Sequence, residues 1–366
     1  MDERDGIRLE GFRQLREKIR GSKEYLVVGI DVAKDNHHAF FGTATGKTLM
    51  KRLVFENSKG GFEKLLVQTE ALQVEHGLKE VVFGLEPTAN YHKPLGEYLI
   101  KGGYKVVLVS GVAVKRNREL LDGRWDKHDT KDSANVADLV SQGKCLFYEN
   151  PRPALKDLRD LLSLKRRLKK QEHGYRVRIR NHLLAEYFPE MDRYFGPSET
   201  LGIVRWCLAP SKISELGYEE FCRLVAPGKR TSSQRERLRG IFGEAIGSVG
   251  CEAGEAVGVE GKVMVEGLRQ IRETIKATDC KIEAICLGFP EYPFLLSIPG
   301  FGPDVSSKVL GTIGDPLRFT NSRQVLKLAG LDLSAERSGK TSDRSTPVIS
   351  KRGKRPICAM LCIRRR

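Results

Sequence analysis

Short apolar runs that stop at an acidic residue constrain this chain more than any other feature of it. The run YLVVGID ends at Asp31, EVVFGLE ends at Glu86, and a third run, KVVLVS, begins at Lys105. Segments with helical spacing separate the runs, and this alternation predicts an α/β layer. Residues 37–56 insert a predicted hairpin after the first run, with its turn at residues 45–47, so we expect a mixed sheet.

Two further acids lie three residues apart in the stretch KHDTKDSANVA. Asp129 and Asp132 would point the same way from a helix, so their spacing requires either a cation between them or plain solvation. Asp31 and Glu86 follow buried strands, where α/β ligand sites gather. Carboxylate oxygens of this kind suit Mg²⁺, and two such ions can hold the attacking and leaving oxygens of a phosphodiester. The alternative is that all four acids are solvated surface groups.

The chain is strongly basic, with 63 Lys and Arg against 47 Asp and Glu among 366 residues, and a net charge of +16. Such an excess favours a polyanionic partner, nucleic acid before an acidic membrane. No run reaches the roughly 20 apolar residues that a membrane helix needs, and the charged N-terminus argues against a secretory signal. Eight cysteines without a CxxC pair predict reduced thiols and a cytoplasmic protein.

The character of the chain changes near Pro151. Residues 155–190 are free of strand signals, leucine-rich and basic. Residues 228–262 are rich in glycine, serine and charge, which predicts a loose connection. Residues 268–285 place Leu268, Ile275 and Ile282 at heptad spacing, typical of a short coiled coil or of an ordinary core-facing helix. We therefore divide the chain into 1–24, 25–150, 151–290 and 291–366.

Several basic or glycine-containing segments are candidates for binding nucleic acid. The segment SIPGFGPDVSSKVL predicts a helix-hairpin-helix, in which backbone N–H groups near Gly300 and Gly302 approach a phosphate; the alternative is a plain glycine turn. The segment GTATGKT is one residue short of a phosphate-binding loop and lies in the hairpin, so we predict a β-turn there. The basic candidates are Lys165, Arg166, Arg167, Lys351, Arg352 and Lys354.

Two serines, Ser338 and Ser350, lie in predicted loops rich in glycine, lysine and arginine. A serine can attack a phosphodiester when its proton is removed and the developing charge is neutralised. Basic neighbours and a nearby metal ion supply such neutralisation. A loop serine considered alone is more often structural.

Seven motifs in one order carry a family resemblance: GIDVAK, GLEPTANYH, KHDTKDSANVA, IPGFGP, RFTNSRQVLKLAGL, RSGK and ISKRGKR. Together they resemble the DEDD transposases of bacterial insertion sequences, the IS110-type family related to the Piv DNA invertase. The resemblance extends over nearly the whole chain from about residue 25.

The resemblance implies an RNase H-like (RuvC-type) N-terminal domain, a helical coiled-coil middle and a mainly α C-terminal transposase domain with a helix-hairpin-helix. It implies a DNA transposase or recombinase in which Ser338 attacks DNA to form a covalent link. It also implies a structured non-coding RNA that bridges donor and target DNA, and a homo-oligomer, either a dimer or a tetramer. The metal ligands for Mg²⁺ would be Asp31, Glu86, Asp129 and Asp132.

The chain departs from the family pattern in three places. Asn90 replaces a usual glycine, and we expect it to adopt the left-handed backbone that asparagine tolerates. Arg337 replaces the first residue of a usual double serine, which favours Ser338 and leaves Ser334 as a rival. Residues 339–366 form a shorter tail than relatives carry, so we expect a truncated C-terminal domain.

Three alternatives to a transposase remain open from the sequence. A RuvC-type junction nuclease would use the same acids with water as the attacking group, and no covalent adduct would form. An actin-fold sugar or acetate kinase is suggested by GIDVAK, but no adenosine-binding glycine motif follows. A relic that binds nucleic acid without cleaving it is suggested by the short tail.

Overall fold

A computed structural model of the chain describes residues 4–122, 129–148, 151–196, 198–206, 208–314, 316, 319, 321–331, 333–334 and 348–349. The chain divides into two compact units. The sheet unit comprises Met1–Pro151 with Asp315–Ser322, and the helical unit comprises Arg152–Gly314 with Arg323–Arg366. No helix in the described ranges combines the length and apolar character that crossing a bilayer requires.

The sheet unit is built on one six-stranded mixed sheet, as the strand pattern predicts. Its order is β3-β2-β1-β4-β5-β6, with β4 and β5 parallel to β1 and with β2, β3 and β6 antiparallel to their neighbours. The strands are β1 Tyr25–Asp31, β2 Asn36–Thr43, β3 Thr48–Glu56, β4 Glu80–Leu85, β5 Lys105–Leu108 and β6 Leu146–Phe147. A separate pair joins β7, Leu333–Ser334, to β8, Val348–Ile349.

The predicted hairpin is formed by β2 and β3. Gly46 has a φ of 91°, the left-handed conformation that glycine adopts without strain. The N–H of Thr43 donates to the carbonyl of Lys47 at 2.8 Å and closes the turn. The segment GTATGKT is therefore a β-turn between strands, as predicted.

Among the described residues, five helices complete the sheet unit, and local signals set the ends of α2. Ser58 caps its first turn by accepting a hydrogen bond from the N–H of Gly61 at 3.2 Å. Gly77, with a φ of 63°, ends the helix in the left-handed conformation. The helices are α1 Arg4–Ile19, α2 Lys59–His76, α3 His92–Lys101, α4 Gly111–Asp122 and α5 Asp129–Ser141.

The alternation of side chains along β1 gives the sheet two apolar faces. Leu26, Val28 and Ile30 face one core with residues of α2 and α3. Tyr25 and Val27 face a second core with residues of α1, α4 and α5. Because successive strand residues point to opposite sides, helices can bury both faces of one central strand.

Helix α1 belongs to this sandwich. Ile19 is fully buried in the second core, and the ring of Phe12 meets that of Phe147 edge-on at 5.5 Å. The Nε atoms of Arg16 and Arg20 donate to the carbonyls of Gly143 and Gln142, at 2.6 and 2.8 Å, just beyond the end of α5.

The helical unit contains the remaining helices. The long α6 runs into a π-helical turn at Ile179–Leu184, and a 3₁₀ turn covers Pro189–Tyr194. The helices are α6 Pro153–Arg178, α7 Ala185–Tyr187, α8 Ser198–Trp206, α9 Pro210–Ser214, α10 Tyr218–Val225, α11 Ser232–Ile246, α12 Glu255–Cys286, α13 Tyr292–Leu296, α14 Pro303–Ile313 and α15 Ser322–Ala329.

Helices α6 and α12 lie antiparallel. Lys165 contacts Asp279 and Arg178 contacts Glu260, each with a closest distance of 2.5 Å, while Glu172 accepts from Arg272 at 3.2 Å. The sequence numbers of the partners fall on α12 as they rise on α6. The predicted heptad positions Leu268, Ile275 and Ile282 of α12 are buried. An apolar face is thus confirmed, whereas supercoiling remains a prediction.

The prediction of a loose connection at residues 228–262 is wrong. Helix α11 and the first turns of α12 occupy most of this range. Thr231 and Gln234 form a reciprocal capping box at the start of α11, and Leu238 and Ile241 are buried in the core. The glycines and charges lie among these apolar positions, which therefore determine the structure.

Candidate active site at the edge of the sheet

Asp31 and Glu86 lie side by side at one edge of the sheet. Strands β1 and β4 are parallel, and their last paired residues are Ile30 and Leu85. The next residues are therefore the two acids, and the N–H of Glu86 approaches the carbonyl of Ile30 at 3.4 Å. Both acids are half-buried. The sheet thus holds two carboxylates at adjacent strand ends, as the sequence predicts.

Two glycines bring α5 onto the same two strands. A Cβ atom on Gly29 would lie 2.2 Å from the carbonyl oxygen of Ser133 and 2.4 Å from the nitrogen of Ala137. A Cβ on Gly84 would lie 2.5 Å from a methyl group of Val140. The helix that carries Asp129 and Asp132 therefore touches the backbone of β1 two residues before Asp31. The sequence analysis did not identify these glycines as important.

Asp132 is 2% exposed and paired with Arg118 of α4. The guanidinium donates to Oδ1 from Nε at 2.9 Å, and Nη2 lies 2.7 Å from the same oxygen. Burial of a carboxylate is costly unless a cation compensates it, and Arg118 is that cation. The side chain of Asp129 lies outside the described part of the chain. No sequence spacing pointed to Arg118, because its partner is on another helix.

Helix α4 contacts Glu86 at its first residue, and about two turns later it is hydrogen-bonded to α5. A Cβ on Gly111 would lie 2.8 Å from Oε1 of Glu86. Asn117 donates to Oδ1 of Asn135 at 2.7 Å and to Oδ2 of Asp138 at 2.8 Å. Asn135 in turn donates to a carbonyl of α4 at 2.6 Å. This buried network fixes α4 against α5, and it too was absent from the sequence analysis.

The carboxylates suit a hard divalent cation, which prefers oxygen ligands. Asp31 and Glu86 present theirs at adjacent, half-buried positions. Among the described side chains, however, no three histidine, cysteine, aspartate or glutamate residues are close enough to hold one ion. Asp132 engages Arg118, and Asp129 contributes no described side chain. The carboxylate oxygens are of the kind a divalent ion prefers, and in this structure the carboxylate of Asp132 is occupied by Arg118.

The loops that follow the two acidic strand ends have identifiable local restraints. After β1, the N–H of Ala33 donates to Nδ1 of the buried His37 at 3.2 Å. Burial lowers the pKa of His37, although the nearby side chain of Asn57 acts in the opposite direction. After β4, Ala89 is left-handed, with a φ of 46°. The expectation that Asn90 takes this conformation is wrong by one residue.

The glycine hairpin predicted from SIPGFGP joins α13 to α14. Gly300 has a φ of 80°, and Gly302 precedes the first turn of α14 with a φ of −79°. Asp304 lies in that first turn. Burial raises the pKa of its carboxyl, but hydrogen bonds from Lys165 and Lys308 outweigh burial and lower the pKa overall. Phosphate binding at Gly300 and Gly302 remains a prediction.

Lys165 differs from its basic neighbours. It is 13% exposed and lies 2.5 Å from both Asp279 and Asp304, so it links α6 to α12 and α14. Arg166 and Arg167 are exposed, and Arg167 donates to the hydroxyl of Ser163 at 3.1 Å. The intramolecular ion pairs give Lys165 a structural role, whereas Arg166 and Arg167 remain candidates for nucleic acid.

The C-terminal candidates lie outside the described residues. These are Ser338, Ser350, Lys351, Arg352 and Lys354. Ser334 is in β7, but its side chain is not described. The predicted roles of all six residues remain predictions.

Two family models match this chain. A family model described as a transposase, DEDD_Tnp_IS110, matches residues 28–189. A second, described as the transposase IS116/IS110/IS902 family, matches residues 292–363. The first match contains all four acids, and the second contains the glycine hairpin and Ser338.

Two curated proteins of Streptomyces coelicolor are similar over most of the chain. One is the uncharacterized 43.6 kDa protein of insertion element IS110, 26% identical over 320 residues, which cover 85% of this chain and 76% of the relative. The other is the transposase proposed for the mini-circle element IS117, 27% identical over 320 residues, which cover 82% of this chain and 75% of the relative.

Proposed function

The chain belongs to the IS110-type transposase family, and from that premise we propose that it cleaves and exchanges DNA strands with Ser338 as the attacking group. The observation that carries the proposal is the edge of the sheet. Asp31 and Glu86 end neighbouring parallel strands, and α5, which bears Asp129 and Asp132, packs directly on both of them. The strand order, with an antiparallel hairpin beside parallel strands, supports the RNase H-like assignment.

The four acids would hold Mg²⁺ through their carboxylate oxygens. The ion, when bound, supplies positive charge that stabilises the oxygens of a phosphodiester under attack. The oxygen of Ser338 would bond to phosphorus while the bond from phosphorus to one deoxyribose oxygen breaks. The serine proton passes to a base, and the departing oxygen takes up a proton. The product is a covalent protein–DNA ester, which a second DNA end then resolves.

The net charge of +16 supports a nucleic-acid partner. Arg166 and Arg167, exposed on α6, are candidates to contact phosphates. The hairpin at Gly300 and Gly302 is a candidate for the same contact. We propose that a structured non-coding RNA joins donor and target DNA on a homo-oligomer of the chain. The four acids lie in the first matched region and Ser338 lies in the second. Mutations can therefore test the role of the acids and the role of the serine separately.

The decisive experiment uses a supercoiled plasmid with donor and target sites, Mg²⁺ and the RNA encoded beside the gene. Wild-type protein should exchange strands and leave an adduct with DNA on a denaturing gel. Both Ser338→Ala and Asp31→Asn should abolish exchange and adduct. Ser334→Ala, a matched change in the same region, should retain both.

A junction nuclease is the second candidate, because the acids at the sheet edge suffice for attack by water. Cleavage of a four-way junction by Ser338→Ala, with no adduct from the wild type, would establish the nuclease and refute the serine mechanism. Binding without cleavage by the wild type in Mg²⁺ or Mn²⁺ would instead identify an inactive relic.

A further inference from the structure

We infer that Arg118 occupies the carboxylate of Asp132 in the metal-free protein and releases it when a divalent ion binds. The inference rests on the proposed function, because it takes Asp132 as a metal ligand. Arg118 would then be a positioning residue that sets how tightly the site binds its ion.

The geometry at Asp132 is that of a filled cation site. Two nitrogens of Arg118, at 2.9 and 2.7 Å, approach one carboxylate oxygen of a side chain that is 2% exposed. Arg118 itself is 17% exposed. A carboxylate buried to this degree requires a positive charge, and a guanidinium or a divalent ion each satisfies that requirement. Both cations seek the same oxygen atoms, so they compete.

The exchange would require only a movement of the side chain. Asn117, the preceding residue, is held by Asn135 and Asp138 of α5. Asn135 also donates to the carbonyl of Val114 in α4 at 2.6 Å. These bonds fix the two helix backbones against each other. The long, flexible arginine side chain can therefore leave Asp132 while α4 and α5 stay in place.

Competition has a measurable consequence for metal affinity. The fraction of molecules in which Asp132 is free limits the apparent affinity for the ion. In the proposed site, a released guanidinium would also be available to the phosphodiester, a group that guanidinium binds well. Metal and DNA should therefore strengthen each other's binding, since coupling between two sites is reciprocal.

The test is calorimetric titration of the full-length chain with Mn²⁺. Arg118→Gln should bind Mn²⁺ about fivefold or more tightly than wild type, the lower range of typical coupling between sites. Arg116→Gln, on an exposed position of the same helix, should match wild type. Arg118→Lys keeps the charge but not the forked donor, so its affinity for Mn²⁺ should lie between that of wild type and that of Arg118→Gln. Thermal melting verifies that each variant is folded.

Two acid variants separate the inference from its premise. If Asp31→Asn and Asp132→Asn bind Mn²⁺ as wild type does, the proposed metal site is wrong. If they lose binding while Arg118→Gln binds no more tightly than wild type, the inference alone is overturned.

If Arg118→Gln does not fold, an NMR measurement on the wild-type protein can test the inference instead. The side-chain Nε–H resonance of Arg118, assigned by its loss in Arg118→Lys, should move when Mg²⁺ saturates the site. An unchanged resonance at saturation, with Mg²⁺ binding abolished by Asp132→Asn, overturns the exchange.

Discussion

Gly29 of β1 and Gly84 of β4 are register partners, and both lie directly beneath α5. Because neither glycine has a side chain, the two positions leave a shallow groove across two parallel strands. Ser133 and Ala137, small residues of α5, lie against the Gly29 end of this groove, and Val140 lies against the Gly84 end. The close approach of the helix to the two strands therefore depends on glycine at both positions.

Gly29→Ala should force α5 away from β1. The new methyl group would overlap the carbonyl of Ser133, a backbone atom that cannot rotate away. We expect a loss of about 1–3 kcal/mol in the free energy of unfolding and a loss of strand exchange. Urea denaturation and the plasmid assay measure the two effects. Gly60→Ala is the control, because nothing lies within 4 Å of its Cβ position; equal stability of the two variants would contradict the prediction.

Lys165→Met should weaken the helical unit without changing how its DNA affinity depends on salt. Burial lowers the pKa of Lys165, but its hydrogen bonds to Asp279 and Asp304 outweigh burial and raise the pKa overall, so the lysine is charged and engaged. Loss of these charged hydrogen bonds should cost about 1–3 kcal/mol in thermal or urea unfolding.

Arg166→Met is the matched change on the exposed neighbour of Lys165. Its stability should stay within about 0.5 kcal/mol of wild type. Its DNA affinity should fall, and the slope of log affinity against log salt concentration should decrease in magnitude by about 1, as expected for the loss of one phosphate contact. A steeper loss of DNA affinity in Lys165→Met than in Arg166→Met would show that the assignment of the two roles is reversed.

The sheet unit should lose stability in mild acid through His37. Burial lowers the pKa of this imidazole below its ordinary 6.5, so the unfolded chain takes up the proton more readily than the folded one. The stabilisation is full above pH 6.5 and is lost as the pH falls through the folded value. Urea unfolding from pH 7.5 to 5 should show this decline, and His37→Gln should flatten it. A parallel decline in the variant would assign the effect to other groups.

Thr231→Ala should remove the capping box of α11. The threonine hydroxyl accepts from the N–H of Gln234 at 3.2 Å, and the side chain of Gln234 accepts from the N–H of Thr231 at 3.0 Å. We expect a cost of about 1 kcal/mol in the free energy of unfolding. Thr231→Ser keeps the hydroxyl and should stay near wild type, so equal losses in both variants would argue against the cap.

The sequence predicts those parts of the structure that depend on local periodicity. Apolar runs identify β1, β4 and β5, and parallel pairing then places Asp31 and Glu86 together, because the last residues of neighbouring parallel strands meet at one edge. Helix α11 was missed, because its glycines and charged residues obscure the helical spacing of its apolar residues. Arg118 and Lys165 could not be assigned from spacing, because their partners come from other helices and depend on packing.

The Gly29–Gly84 groove itself has a partial signature in the sequence. Each glycine precedes the acid of its strand by two residues, in GID and GLE. A glycine in a buried strand often marks the close approach of another backbone. The repeated spacing predicts such an approach at this edge, but it does not say which helix makes it.

The contacts of α1 matter for anyone who shortens this chain. A fragment that starts at Tyr25 begins at the first strand of the sheet, and the strand pattern alone would suggest that boundary. That fragment would discard Arg16 and Arg20, whose side chains fasten the loop after α5. It would also uncover the apolar surface that Ile19 protects. Deleting a stretch that carries none of the acids would thus remove two side-chain hydrogen bonds at the C-terminal end of the acid-bearing helix.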